Sequence, residues 1–268
     1  MKGMSERKPQ RNVNTDREGE TQSGTIGRIA AHALSKVALR AQAVRDRPDA
    51  RNIELLFDAA VGDDPLGCSA LARRMVADGV PAEYICDVYI PAVANRMGDD
   101  WCEDEMTFTN VTIGTSRLQF LLREIGPGKS DDLRWNSNGE LSSVLLLLSR
   151  DANHTLGVMV LASQLRRLGY SVKLSIGEST DAIIDLVQSS PFDAVFVSAS
   201  MEDDLADLRD IVETIKNKAN TPPPIILGGY IVEQGVDALQ VTGVDMITNK
   251  LDEALSFCKL HNDEKPKP

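Results

Sequence analysis

Apolar side chains first fall into register at Ile26. Ile26, Ile29, Ala30, Ala33, Leu34, Val37, Ala41 and Val44 recur at the spacing that lines one side of an α-helix, and Pro48 closes the segment. This predicts a leading helix over 26–48, which carries His32. Residues 1–25 are polar and charged with almost no large apolar side chains. Burial there cannot offset the entropy of ordering, so a disordered tail is predicted. Residues 49–125 then give four further helical stretches and no strand. The first, 53–60, ends at Gly62-Asp63-Asp64-Pro65, and the second, 66–78, stops at Gly79. The third starts at Pro81, where a missing N–H is harmless, and runs through Ile85 and Val88 toward Met97. Pro91 lies inside it and predicts a kink. The fourth, 108–125, puts Val111, Leu118, Leu121 and Leu122 on one face. Short connections between amphipathic helices predict an antiparallel four-helix bundle.

The period changes after a polar linker, 126–140 (GPGKSDDLRWNSNGE). Strands are predicted at 143–148, 171–176, 194–198, 225–227 and 246–248. Helices are predicted between and after them at 155–168, 180–188, 205–218, 232–239 and 252–258. Five alternations of strand and helix predict a parallel sheet covered on both faces, an α/β flavodoxin-like (Rossmann) domain over 141–260. The remaining 261–268 is charged and proline-bearing, and a frayed tail is expected.

Charge and composition narrow the class. The chain of 268 residues carries 29 basic and 40 acidic side chains, a net charge of −11 that argues against direct DNA binding. No apolar run approaches the ~20 residues that span a bilayer, and the N-terminus lacks the apolar centre of an export signal. No membrane association and a cytoplasmic location are therefore expected. Cys68, Cys86, Cys102 and Cys258 are far apart, which fits reduced thiols better than a disulfide framework or a zinc site.

In a doubly wound sheet, ligands bind beyond the carboxyl ends of the strands. The loop after the first predicted strand reads Ser149-Arg150-Asp151-Ala152-Asn153-His154-Thr155-Leu156-Gly157, bringing an imidazole to that edge. Gly157 lets the backbone approach a flat group closely. Ser198-Ala199-Ser200 ends the third strand and Gly228-Gly229 the fourth, so small residues line a slot that admits a long thin group.

This order of motifs resembles the cobalamin-binding Rossmann domain, in which a histidine takes the place of the dimethylbenzimidazole base on cobalt and the nucleotide tail enters the slot. Asp151 stands one residue further from His154 than in the family's Asp-x-His-x-x-Gly, and Ser200 stands where the second motif normally ends in Leu. A helical domain, then Met97-Gly98-Asp99-Asp100-Trp101, a linker and a Rossmann domain is similar to the cobalamin modules of methionine synthase and of light-sensing repressors. In those, the tryptophan packs over the upper face of the corrin, and Trp101 matches it. Val111 and Thr112 occupy the positions of the light-sensing repressors' Glu-His, so the upper histidine ligand is lacking.

The segments Asp100-Trp101-Cys102, Phe108, Val111-Thr112-Ile113-Gly114, Arg117-Leu118-Gln119, Leu121-Leu122-Arg123, His154-Thr155-Leu156-Gly157 and Gln164-Leu165-Arg166-Arg167 resemble the PpaA/AerR group. The likeness runs over roughly residues 50–250. It implies a cobalamin-binding antirepressor that acts on a PpsR/CrtJ-type repressor of photosynthesis genes, responding to light or redox state. It implies His154 as the cobalt ligand. As cofactor contacts it implies Trp101, Val111, Asp151, Thr155, Leu156, Gly157, Ser198, Ser200, Gly228 and Gly229. Relatives with SCHIC domains hold heme in a similar fold, so heme is the alternative cofactor.

No Ser-His-Asp or Cys-His arrangement and no glycine-rich lysine loop is present, so an enzyme is not expected. The alternatives are a corrinoid methyl carrier of a methyltransferase system and a heme sensor in which Cys102 joins His154. His32 reads as a packing or surface residue. Arg117, Arg123, Arg166 and Arg167 are candidates for propionamide or partner contacts, or else solvated helix faces. The acidic runs Glu103-Asp104-Glu105 and Glu202-Asp203-Asp204 are solvated, with a phosphate-like surface for a basic partner as the alternative.

Overall fold

The computed structural model describes residues 48–126, 139–148, 155–200, 205–234 and 238–260. The tails 1–25 and 261–268, the leading helix with His32 and most of the linker lie outside the described residues. So do Asp151, His154 and the run Glu202-Asp203-Asp204.

Helices α1 (Ala50–Val61), α2 (Gly67–Ala77) and α5 (Phe108–Ile125) pack with an interrupted rod. The rod consists of α3 (Ala82–Tyr84), a π-helical turn (Ile85–Tyr89) and α4 (Ile90–Cys102). Pro91 accounts for the interruption. It has no N–H to offer the carbonyl of Asp87, so the helix widens and the Ile90 N–H reaches back five residues to Ile85. The proline is absorbed as a wide turn, and helix continues to Cys102, beyond the Met97 that periodicity suggested.

Leu56, Ile85, Ile90, Val93, Met97, Leu118 and Leu121 fill the core of this half. At Gly114 a Cβ would stand 2.5 Å from the Met97 Sδ, so α5 crosses α4 at a position with no side chain. The turn between them depends on Asp104 at φ 59° and on the N–H groups of Glu105 and Met106, which both donate to the Asp100 carbonyl at 2.8 and 3.0 Å. Thr107 then caps α5, its Oγ1 accepting the Asn110 N–H at 3.2 Å. Arg117 belongs to the end of α1. Its guanidinium donates to the carbonyls of Ala60, at 2.9 Å, and Gly62, satisfying acceptors that the end of α1 leaves open.

The second half is a five-stranded parallel sheet. Its strands are β1 (Ser143–Leu148), β2 (Ser171–Ile176), β3 (Ala194–Ser198), β4 (Ile225–Gly228) and β5 (Met246–Ile247), in the order β2-β1-β3-β4-β5. This is the flavodoxin-like order. The central strands β1 and β3 are apolar almost without alternation, because helices cover both faces. Leu145, Leu147, Val195, Val197 and Leu227 face α7 (Thr180–Ser189) and α8 (Leu205–Lys218). Val144, Leu146, Leu148 and Phe196 face α6 (Thr155–Arg167) and α10 (Leu251–Phe257). The helix predicted over 232–239 is different in the structure. Gly229, at φ +99°, starts a 3-10 turn at Tyr230–Gln234 in which the Val232 N–H donates to the Gly229 carbonyl, and a short α9 (Ala238–Thr242) follows.

Helix α6 joins the halves. Val158, Ala162 and Leu165 pack on the sheet, while Leu156 and Val160 belong to the core of α1–α5. At its C-terminal end Arg167 pairs with Asp87 of the π-helical turn.

The Arg117 contacts make a testable point. Arg117→Ala leaves two carbonyls at the end of α1 without their donor, and urea unfolding should report a loss of about 1–3 kcal/mol. A loss within the error of extrapolation would mean that water replaces the guanidinium.

Candidate functional site

The first and third strands lie side by side, so the loops after them leave in opposite directions and open a crevice at the carboxyl edge. Leu148, Ser198 and Gly228 end their strands in register there. Backbone packs against backbone at this edge. A Cβ on Gly229 would stand 2.3 Å from the Ala199 carbonyl oxygen and 2.9 Å from its nitrogen. A Cβ on Gly228 would stand 3.1 Å from the Thr248 oxygen. The Ala199 N–H donates to the Gly228 carbonyl at 3.0 Å. From beyond β5, Asn249 brackets Gly229 in both directions. Its Oδ1 accepts the Gly229 N–H at 2.8 Å, and its Nδ2 donates to the Gly229 oxygen at 3.2 Å. Ser198, Ser200, Gly228 and Gly229 thus form one half-buried floor of small residues.

Helix α6 begins beside this floor. Thr155 is half-buried, and its Oγ1 accepts a hydrogen bond from Gln119 Nε2 at 2.8 Å. Gly157 is exposed, and a Cβ added to it would meet nothing within 4 Å. Leu156 is buried in the core of α1–α5.

Helices α5 and α6 run in the same direction. Gln119 meets Thr155, and at Gly126, just beyond the end of α5, a Cβ would stand 3.6 Å from Ser163 Oγ. Phe108 lies three turns upstream of Gln119, about 16 Å of helix. The start of α5 therefore projects past the start of α6 on the carboxyl side of the sheet. Trp101 and Phe108 sit on this overhang, ring centroids 6.3 Å apart, and expose 42% and 68% of their surface; Val111 beside them is half-buried. A polar floor of small residues below and an aromatic roof above fit a broad flat group with a thin appendage. A second groove, about 250 Å³ and lined by Val187, Pro191, Phe192 and Pro223, opens at the opposite, amino edge and has no charged side chain in its lining.

The remaining candidates sort clearly. Arg167 is committed to Asp87, while Arg123 and Arg166 are exposed, Arg166 donating to the Val172 carbonyl at 3.4 Å. Glu103, Asp104 and Glu105 are exposed on the turn beside Trp101. Cys102 is exposed. Burial pushes the Cys86 thiol up to about 11 and the Cys258 thiol up to about 12. Burial also raises the Cys68 thiol, against the opposing charge of Arg117. Among the described residues no three His, Cys, Asp or Glu side chains gather as a metal cage, and no helix is long and apolar enough to cross a membrane. Sequence reasoning missed Asn249 and the role of Gln119. Both are single amides whose partners are distant in the chain.

The sheet domain matches a known family. Residues 143–255 match the B12 binding domain family. The chain is 33% identical over 177 residues to a Rhodobacter capsulatus protein described as an uncharacterized 20.5 kDa protein in the bchF-crtJ intergenic region, covering 66% of this chain and 91% of that one. The monomethylamine corrinoid protein of Methanosarcina barkeri shares the fold, with a TM-score of 0.60 at 16% identity over 75% of this chain and 94% of that one. A cobalamin-binding protein of Desulfitobacterium hafniense superposes with a TM-score of 0.40 at 15% identity, over 77% and 97% of the two chains. Cobalamin is the cofactor of this domain.

Two measurements test the site. Gly229→Ala must hold a side chain at a left-handed φ against backbone, so thermal or urea melts should show about 1–3 kcal/mol of destabilisation, together with weaker hydroxocobalamin binding. Unchanged stability would mean that the loops after β3 and β4 separate freely. Among the described cysteines, only Cys102 should react quickly with a thiol reagent at neutral pH, since thiolate is the reactive form and burial suppresses it at Cys68, Cys86 and Cys258. Peptide mapping after brief alkylation reads this order.

Proposed function

The chain belongs to the PpaA/AerR group of cobalamin-binding proteins, and we propose that it is a cobalamin-dependent transcriptional regulator, an antirepressor of a PpsR/CrtJ-type repressor, rather than an enzyme. The observation that carries this reading is the overhang: an exposed aromatic pair above a floor of small residues. The relative's position between bchF and crtJ supports a role tied to photosynthesis genes.

When bound, the corrinoid would supply a cobalt centre that can exchange a ligand and absorb light. The protein supplies the rest. His154, which follows β1 in the sequence, would lend an imidazole to the cobalt. Ser198, Ser200, Gly228 and Gly229 leave room for the nucleotide tail, and Gly157 keeps the start of α6 clear. Trp101 and Val111 would cover the bound corrinoid and exclude water. A change in what fits beneath Trp101 shifts the balance between arrangements of α4 and α5, and the repressor prefers one of them. The exposed carboxylates of Glu103, Asp104 and Glu105 beside Trp101 suit a basic protein surface better than DNA.

Two experiments follow. Hydroxocobalamin bound to the full chain should show an absorption spectrum that His154→Ala changes, with weakened affinity; an unchanged spectrum and affinity would remove the axial role. Loaded protein should then lower the operator occupancy of a purified PpsR/CrtJ-type repressor, read by fluorescence anisotropy in darkness and after illumination. No effect on occupancy, with methyl transfer from the methylcobalamin-loaded protein to a thiol acceptor, would favour a corrinoid methyl carrier instead.

A further inference from the structure

Along α5, Thr109, Ile113, Ser116, Phe120 and Arg123 recur at steps of four and three residues, the spacing of a straight seam on a helix. All five are exposed, and Ile113 and Phe120 leave 42% and 50% of their surface uncovered. The stripe lies on the side of α5 away from Leu118, Leu121 and Leu122, which fill the helical core. Its borders are definite. On one side Glu124 accepts hydrogen bonds from Ser69 and Arg73 of α2, and on the other Gln119 donates to Thr155 of α6. Between these borders nothing among the described residues covers it.

The charges at the two ends identify what does. Arg123 lies in the last turn of α5, exposed and without an ion pair among the described residues. Glu103, Asp104 and Glu105 stand exposed on the turn before the first, their carboxylates likewise without an ion pair there. A stripe that is apolar in the middle, basic at one end and acidic at the other complements itself when turned end over end.

We propose that α5 is the interface of a symmetric homodimer, its stripe packed antiparallel on the same stripe of a second copy. The two-fold axis passes at Ser116, whose small side chain lets the helices approach. Phe120 then packs beside Ile113 of the second copy. Arg123, seven residues or about 10 Å beyond the axis, comes level with the start of the other α5, within reach of its acidic turn. Each contact occurs twice. The seam is about 27 Å long and one helix wide, well short of the ~800 Å² per partner of a standard interface, so the dimer is weak and concentration-dependent.

Sedimentation velocity on the full chain, over about 1–300 µM, tests this. The mass should rise from monomer toward dimer across that range. Phe120→Glu should raise the dissociation constant at least about tenfold. Arg123→Glu alone, and the double variant Glu103→Lys, Glu105→Lys alone, should each self-associate about three- to tenfold more weakly, because like charges then meet at both ends. Mixed in equal amounts, these two should regain the wild-type association, since every pair across the axis is again of opposite sign. That recovery is specific to the antiparallel pairing, and it carries the test if Phe120→Glu folds poorly. A monomer at every concentration would overturn the proposal, and so would a dimer that Phe120→Glu leaves intact or a mixture no tighter than its components. A chain that stays monomeric, but whose Phe120→Glu form loses its grip on the repressor, would give the stripe to that partner instead.

Discussion

One helix has to satisfy two hydrophobic surfaces at once. Helix α6 gives Val158, Ala162 and Leu165 to the sheet and Leu156 and Val160 to the helices before it, so its sequence, Thr-Leu-Gly-Val-Met-Val-Leu-Ala, is apolar around most of its circumference. This double burial fixes the angle at which α5 lies along α6, and from that angle comes the overhang of Trp101 and Phe108. The ligand edge therefore depends on an apolar seam that contains none of the functional side chains. The seam takes no part in the chemistry, and the chemistry has no geometry without it.

The two sides of the site are built on different principles. Below, backbone does the shaping: Gly229 lies against Ala199, and Asn249 ties the strand ends together through amide hydrogen bonds. Such a floor is rigid and offers little bulk, which suits the admission of a slender tail. Above, bulk does the shaping, because two aromatic rings stand on a turn stiffened by Asp104 and capped by Thr107. Backbone contacts hold the floor, and helix ends carry the roof.

The architecture was legible because its signals are local or periodic. Alternating apolar runs and helix periods give the five strands and most helix positions, and the Gly228-Gly229 and Ser198–Ser200 strand ends announce the ligand edge. What escaped the sequence was pairing across distance. In the sequence Arg117 and Arg167 are open between ligand or partner contacts and solvated helix faces, and the structure gives them to the end of α1 and to Asp87. Leu156 sat within the binding motif yet turns into the helical core. Gln119 and Asn249 carry no pattern of their own, because an amide gains its meaning only from a partner brought near by folding.

Pro91 has a consequence well away from its own position. The widened turn ahead of it counts as one residue inserted into an α-helix, and one residue is about 100° of rotation. Everything downstream on the rod, out to its last turn, is swung by that amount relative to an unbroken helix. The compass bearing of Trp101 is thus set by an absent amide hydrogen several turns away, and the indole owes its outlook over the crevice to a defect in the ladder beneath it.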